Sequence, residues 1–241
     1  MAVGPRLGMF RVGKQGVLRY APWQEHSWLA HGFSTRPTCD FLVWPSDHEI
    51  AKAFGAEGCG TAMLRQVHSD GFVRANRPWG QDRPEADAVL TDRPGVMVGV
   101  RTADCVPILL VDPQTRAVAA VHAGWRGTVA GVVSTALRGM VSEFGSGLAD
   151  IEAVVGPGIG ACCFEVGDEV ACQFRNEFVE QRDPRPHVDL AAAIEAQLSA
   201  AGVGRLASVR ECTSCDLGKY FSYRAEHGNT GRMLAAVAVR V

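Results

Sequence analysis

Two histidines and one cysteine carry the most legible chemistry in this chain. They lie in three short segments: Gln66-Val67-His68, Thr102-Ala103-Asp104-Cys105 and His122-Ala123-Gly124-Trp125-Arg126-Gly127. The second and third place a thiol or an imidazole where an apolar run ends or bends. Strand ends can converge in space, as a metal site requires. Two neutral imidazoles and one thiolate match the catalytic zinc pattern of three protein ligands and an open fourth position. No two of these residues are close in sequence, so the pattern is neither a zinc finger nor a Cys-x-x-Cys ribbon. Local spacing leaves the bland readings standing. A histidine near a strand end is often a hydrogen-bonded surface residue, and Cys105 could be a small buried hydrophobe.

The neighbours extend the chemistry. Arg126 falls at the start of a helix predicted over Thr128 to Phe144, beside Gly124 and Gly127. Helix-start N–H groups and an Arg fork suit a phosphate; a structural ion pair is the competing reading. Arg101 and Arg224 are weaker cations for the same role. Asp104 adjoins a ligand and Glu165 follows a Gly-rich run. Either could be a general acid, or a carboxylate that orients a ligand histidine. The run Gly156-Pro157-Gly158-Ile159-Gly160 is not a P-loop, because no Gly-Lys-Ser/Thr follows, and it reads as a tight turn. Cys212-x-x-Cys215 lacks a second such pair and reads as non-functional, while Cys162-Cys163 reads as interior packing.

The elements that must position these residues are clearest mid-chain. Ala86 to Leu90, Val96 to Thr102, Val106 to Val111 and Ala117 to His122 are short apolar runs rich in Val and Ile. Asp92-Arg93-Pro94-Gly95 and Asp112-Pro113 separate them as turns, which predicts antiparallel neighbours. Val129, Val132, Val133, Leu137, Met140, Val141 and Phe144 recur at helical spacing. Ile151 to Val155, Leu206 to Val209 and Met233 to Val239 read as further strands, and Trp28 to Ser34 as an early one. Ile50 to Phe54 reads as a helical turn and Pro37 to Asp47 as a loop. Helices are predicted from Gly167 to Val179, and from an Asp189 N-cap to a Gly202 stop. Clustered strands with separate helices predict an α+β sandwich in one domain spanning 1–241, with residues 1–20 as a loosely attached N-terminal segment.

Composition narrows the function classes. The chain has 241 residues, 47% hydrophobic and 21% charged, which allows a sizeable core and excludes wholesale disorder. A formal net charge of −2 argues against broad binding to nucleic acid or to an anionic membrane. No stretch approaches the roughly 20 apolar residues of a membrane span. Met1 to Tyr20 lacks the apolar segment of a secretory signal, so a cytoplasmic location is expected. Eight cysteines in a chain of this length read mostly as reduced thiols.

Taken together, the motifs resemble the YfiH-like laccase-domain family, also labelled multicopper polyphenol oxidase or purine nucleoside phosphorylase. The similarity runs from His31-Gly32-Phe33-Ser34-Thr35-Arg36 through Ala86-Asp87-Ala88, the Cys105 and His122 segments, and Gly156 to Val166. It ends with Cys212-Thr213, Phe221-Ser222-Tyr223-Arg224 and Thr230-Gly231-Arg232-Met233. The resemblance implies a layered α/β/β/α sandwich with mixed or antiparallel sheets. It implies one zinc held by His68, Cys105 and His122, with copper as the other metal. It implies phosphorolysis of adenosine, inosine and methylthioadenosine, with adenosine deamination besides, and so purine nucleoside and phosphate as partners. It also brings Arg36 near the pocket as a second phosphate ligand. After Arg36 the chain departs from the family pattern, with Pro37-Thr38-Cys39-Asp40 in place of a Gly-Gly-rich segment.

Three other functions compete. A His–His–Cys set also occurs at blue-copper sites, but seven histidines with no His-x-His pair do not build a four-copper laccase. Cys105 with His122 could form a metal-free cysteine hydrolase. A non-catalytic nucleotide-binding module would show no turnover.

Overall fold

The computed structural model describes residues 9–43 and 45–241. In chain order the strands are β1 (Phe10–Val12), β2 (Leu18–Tyr20), β3 (Leu29–Phe33), β4 (Gly60–Met63), β5 (Phe72–Arg74), β6 (Ala88–Thr91) and β7 (Val96–Thr102). They continue as β8 (Val106–Asp112), β9 (Ala117–Ala123), β10 (Glu152–Val155), β11 (Val179–Glu180), β12 (His187–Val188), β13 (Arg205–Ser208) and β14 (Met233–Val239). The helices are α1 (Asp47–Phe54), α2 (Trp125–Ala130), α3 (Val132–Phe144), α4 (Asp168–Ala171) and α5 (Leu190–Ala201).

Two six-stranded sheets form the centre. One runs β1-β2-β3-β14-β7-β4 and the other β13-β10-β8-β9-β6-β5. Both are mixed: β4–β7, β5–β6 and β10–β13 are parallel, and most other pairs antiparallel. Side-chain alternation stacks them into layers. Along β8, Leu109 and Val111 join the core between the sheets, while Val106, Ile108 and Leu110 face α3 and α5. Along β14, Ala235, Val237 and Val239 face the other sheet, while Leu234, Ala236 and Ala238 meet Ile50, Ala51 and Phe54 of α1. The result is a single α/β/β/α sandwich, as the resemblance implied. Both central strands are apolar on each face because each face is covered.

Two helices are closed by local capping, and the first, expected only as a turn over Ile50 to Phe54, starts at Asp47. Ser46 and Glu49 form a reciprocal capping box at α1. At α5 the Asp189 side chain accepts from Ala192 N at 2.8 Å, and Gly202 closes the helix in a left-handed conformation.

The structure corrects several expectations. The helix expected over Thr128 to Phe144 begins earlier, at Trp125, and is broken at Gly131, whose φ of 92° suits glycine and ends one helix before the next begins. The helix expected from Gly167 to Val179 is one turn, α4, after which the chain folds back through β11 and β12 onto the small Val166, Val170, Ala171 and Val188 cluster. The loosely attached segment is also revised. Within the described residues, β1 and β2 form a hairpin that joins the first sheet, with Val17, Leu18 and Tyr20 buried; residues 1–8 lie outside the description. Finally, the four central runs are not simply antiparallel neighbours. β6, β8 and β9 pair in one sheet, but β7 lies in the other. The chain therefore switches sheets at 103–105, which sets Cys105 at the edge of both.

Candidate metal centre

His68, Cys105 and His122 converge at one end of the sandwich, from three separate elements. His68 follows β4, Cys105 sits at the sheet switch just before β8, and His122 is the second-last residue of β9. Pro107 pairs with His122 across β8 and β9, which brings Cys105 alongside. One donor atom from each residue lies within 4.8 Å of the others. Cys105 Sγ is 3.9 Å from His68 Nε2, close to the roughly 3.6 Å that tetrahedral zinc imposes between sulfur and nitrogen. The His68 and His122 rings stand edge to face, with centroids 4.9 Å apart.

Behind them stands Asp87, which in the sequence is visible only as the middle of the Ala86-Asp87-Ala88 motif. Its Oδ1 accepts from His122 Nδ1 at 2.8 Å, which leaves Nε2 for a metal. Its Oδ2 accepts from Ser69 N at 2.6 Å and from Ser69 Oγ at 2.9 Å, fixing the turn that carries His68. Burial pushes the Asp87 carboxyl up, but these hydrogen bonds outweigh it and hold it at about 2, ionised. Burial also raises the Cys105 thiol and lowers His122, yet their mutual attraction reverses both. The thiol falls well below its usual range and the imidazole rises.

Backbone conformation is bent to fit. His68 has φ 59° and Asp104 φ 84°, a region that costs non-glycine residues about 1–3 kcal/mol. Gly124 must be small: a Cβ there would lie 2.9 Å from His68 Cδ2 and 3.1 Å from Cys105 Sγ.

All three residues line a cavity of about 680 Å³, together with Arg65, Arg101, Arg126, Arg224, Arg232, Phe164 and Tyr223. Arg65 is paired with Glu85, but the other four guanidinium groups outnumber the one carboxylate in the lining, Asp104, and make the cleft positive. Arg126 stacks on the Trp125 ring at 4.4 Å and has no carboxylate partner among the described residues. The ion-pair reading of Arg126 is thereby removed.

The other sequence-derived residues are placed differently. Asp104 borders the cavity, but Oδ1 accepts from Thr213 Oγ1 and Oδ2 from Arg224 N, both at 2.7 Å. Glu165 contributes its backbone carbonyl to Arg224 at 2.8 Å, and its side chain does not line the cavity. Arg36 also stands outside the lining. Its guanidinium binds Glu226 Oε2 at 2.7 Å and the Tyr220 carbonyl at 3.1 Å. It therefore braces the loop that delivers Tyr223 and Arg224. The expected burial of Cys162-Cys163 is not seen: Cys162 is exposed and Cys163 half-buried.

The sequence of the multi-copper polyphenol oxidoreductase laccase family matches residues 43–240. The chain belongs to this family. Among relatives, a purine nucleoside phosphorylase from Deinococcus radiodurans is 42% identical, over 79% of this chain and 74% of that protein. An adenosine deaminase from an unknown prokaryotic organism is 41% identical, over 78% of each chain. The crystal structure of YlmD from Geobacillus stearothermophilus superposes with a TM-score of 0.86 at 26% identity, covering 97% of this chain and 99% of that one. YfiH from Bacillus licheniformis superposes with a TM-score of 0.85 at 25% identity, over 97% and 100%. No helix among the described residues of this family member is long and apolar enough to cross a membrane.

Proposed function

We propose that this laccase-family chain is a zinc-dependent purine nucleoside phosphorylase acting on adenosine, inosine and methylthioadenosine, with adenosine deamination as a second activity. The observation that carries the reading is a His68–Cys105–His122 group opening into an arginine-lined cleft. Relatives named for both activities support it.

The donor set suits zinc: two imidazoles, one thiolate, and a cavity on the remaining side. Zinc bound there would supply a Lewis acid and lower the pKa of water to about 7. The chain's own residues account for the rest. Arg126, with Arg101, Arg224 and Arg232 nearby, holds phosphate and neutralises its charge. An oxygen of hydrogen phosphate attacks C1′ of the ribose, the glycosidic C–N bond breaks, and its electron pair passes to the purine, which takes up the proton that the phosphate gives up. Phe164 and Tyr223 offer flat faces for the base. Asp104, with both oxygens engaged, positions Arg224 and the Thr213 turn.

Adenosine turnover with and without phosphate, with metal content measured on the same sample, tests the proposal. Adenine and ribose 1-phosphate are expected with phosphate, and slow inosine formation without it. A folded, zinc-loaded sample that converts none of the three nucleosides overturns the reading and turns attention to phenol oxidation or simple nucleotide binding. Activity surviving complete demetallation would favour the Cys105–His122 thiol reading, which the mutual stabilisation of thiolate and imidazolium makes the second choice.

A further inference from the structure

We propose that Cys162, Cys163, Cys212 and Cys215 form a second metal site, a closed four-thiolate site for zinc that is separate from the His68–Cys105–His122 group. The four sulfurs come from two loops far apart in sequence. Cys162 and Cys163 follow the glycine-rich turn after β10, and Cys212 and Cys215 lie in the turn after β13. The loops are stitched together by a bridge between Gly158 and Cys212, with Thr213 N donating to Gly158 O at 3.0 Å.

The spacing fits one ion. Cys215 Sγ is 3.4 Å from Cys162 Sγ and 3.4 Å from Cys163 Sγ. All four sulfurs lie within 4.8 Å of one another. A tetrahedron with zinc–sulfur bonds of about 2.3 Å places its sulfurs about 3.8 Å apart, inside that range. The backbone is arranged for thiolates. Gly160 N–H donates to Cys212 Sγ at 3.2 Å. A Cβ on Gly160 would lie 3.2 Å from both Cys162 Sγ and Cys212 Cβ, a tight fit that glycine relieves where the loops close. Packing gives no rival reason for the cluster. Cys162 and Cys215 are exposed, whereas a cysteine retained as a small hydrophobe is buried, as Cys59 is.

Four protein ligands leave no open position, so this site is structural where the first is open. It ties together loops that wall the cleft. Ile159 and Phe164, on either side of the cysteine pair, line the cavity. The Cys163 carbonyl accepts from Arg224 Nη1 at 3.1 Å, which links the cluster to a cavity arginine. The adjacent Cys162-Cys163 is the second pair that Cys212-x-x-Cys215 lacks in the linear sequence.

The test is metal stoichiometry on the full chain purified in reductant without added chelator. Two zinc per wild-type chain are expected, against the single zinc that the first site accounts for. Cys105→Ala should keep one, and the Cys162→Ser/Cys215→Ser double variant should keep the other. Cobalt substitution provides an independent readout in the wild type. Two spectrally distinct sites are expected, one with the intense sulfur-to-cobalt charge transfer of four thiolates, and that component should vanish in the double variant. If the double variant does not fold, the wild-type cobalt titration decides alone. A single metal per wild-type chain that disappears in Cys105→Ala, a charge-transfer intensity accounted for by one thiolate, or recovery of the four cysteines as two disulfides would each overturn the proposal; a single metal that survives Cys105→Ala and is lost in the double variant would instead overturn the first site and leave this one standing.

Discussion

The Asp87 carboxylate and the His122 imidazole meet at 2.8 Å in a buried contact, and the other oxygen of the same carboxylate holds the backbone beside His68. One side chain therefore orients two of the three candidate ligands. Asp87→Asn keeps the shape but removes the charge and one acceptor. Zinc affinity should fall about 10- to 100-fold, the usual effect of losing such a partner. Competition with a chromophoric chelator measures it, and an unchanged circular dichroism spectrum separates it from unfolding. Unaltered affinity would mean that the ligands are held by packing alone.

Gly124→Ala tests how tightly the ligands are packed. The φ of −76° at Gly124 accepts alanine, so the backbone is not strained. The new methyl would instead press on His68 Cδ2 and Cys105 Sγ. The variant should fold with a near-native melting temperature and bind zinc at least about tenfold more weakly. Calorimetry and zinc titration on one preparation check both halves.

Arg126→Ala should weaken phosphorolysis more than adenosine deamination. Only phosphorolysis uses the anion, and a charged hydrogen bond lost there costs about 1.5–3 kcal/mol, or roughly 10- to 100-fold in kcat/KM. Equal loss of both rates would show that Arg126 serves structure, through its stacking on Trp125.

Glu226 makes a pH prediction. Burial raises its carboxyl, but hydrogen bonds from Arg36, Ser222 and Thr230 outweigh this and hold it at about 2, below the ordinary 4.5. A depressed carboxyl stabilises the fold fully above its unfolded value and loses that contribution as pH falls through the folded one. The Arg36–Glu226 brace should therefore weaken between about pH 4.5 and 2. Glu226→Gln should lower the melting temperature at pH 7, and the gap from wild type should close by pH 2. A gap that persists at pH 2 would place the effect in shape, not charge.

Much of the layered fold is legible in the chain because its signals are local. Val96–Thr102 and Met233–Val239 are continuous apolar runs between turn residues, and both are strands with those bounds. Asp189 and Gly202 bracket α5 through hydrogen bonds made within one turn. Residue type and motif single out His68, Cys105 and His122 as candidate ligands, and the structure brings their donor atoms together. What was not legible depends on contacts between distant segments. Asp87 reaches His122 across 35 residues, and no spacing rule announces that a carboxylate will be buried behind a histidine. The family resemblance makes Arg36 a candidate phosphate ligand, yet Glu226, 190 residues away, takes its charge. Cys162-Cys163 and Cys212-x-x-Cys215 each look ordinary alone; they acquire meaning only where β10 and β13 run parallel and deliver both loops to the same place. Secondary structure follows from neighbours in the chain, whereas a site is made of side chains whose partners are chosen by the packing of sheets, which the linear order does not encode locally.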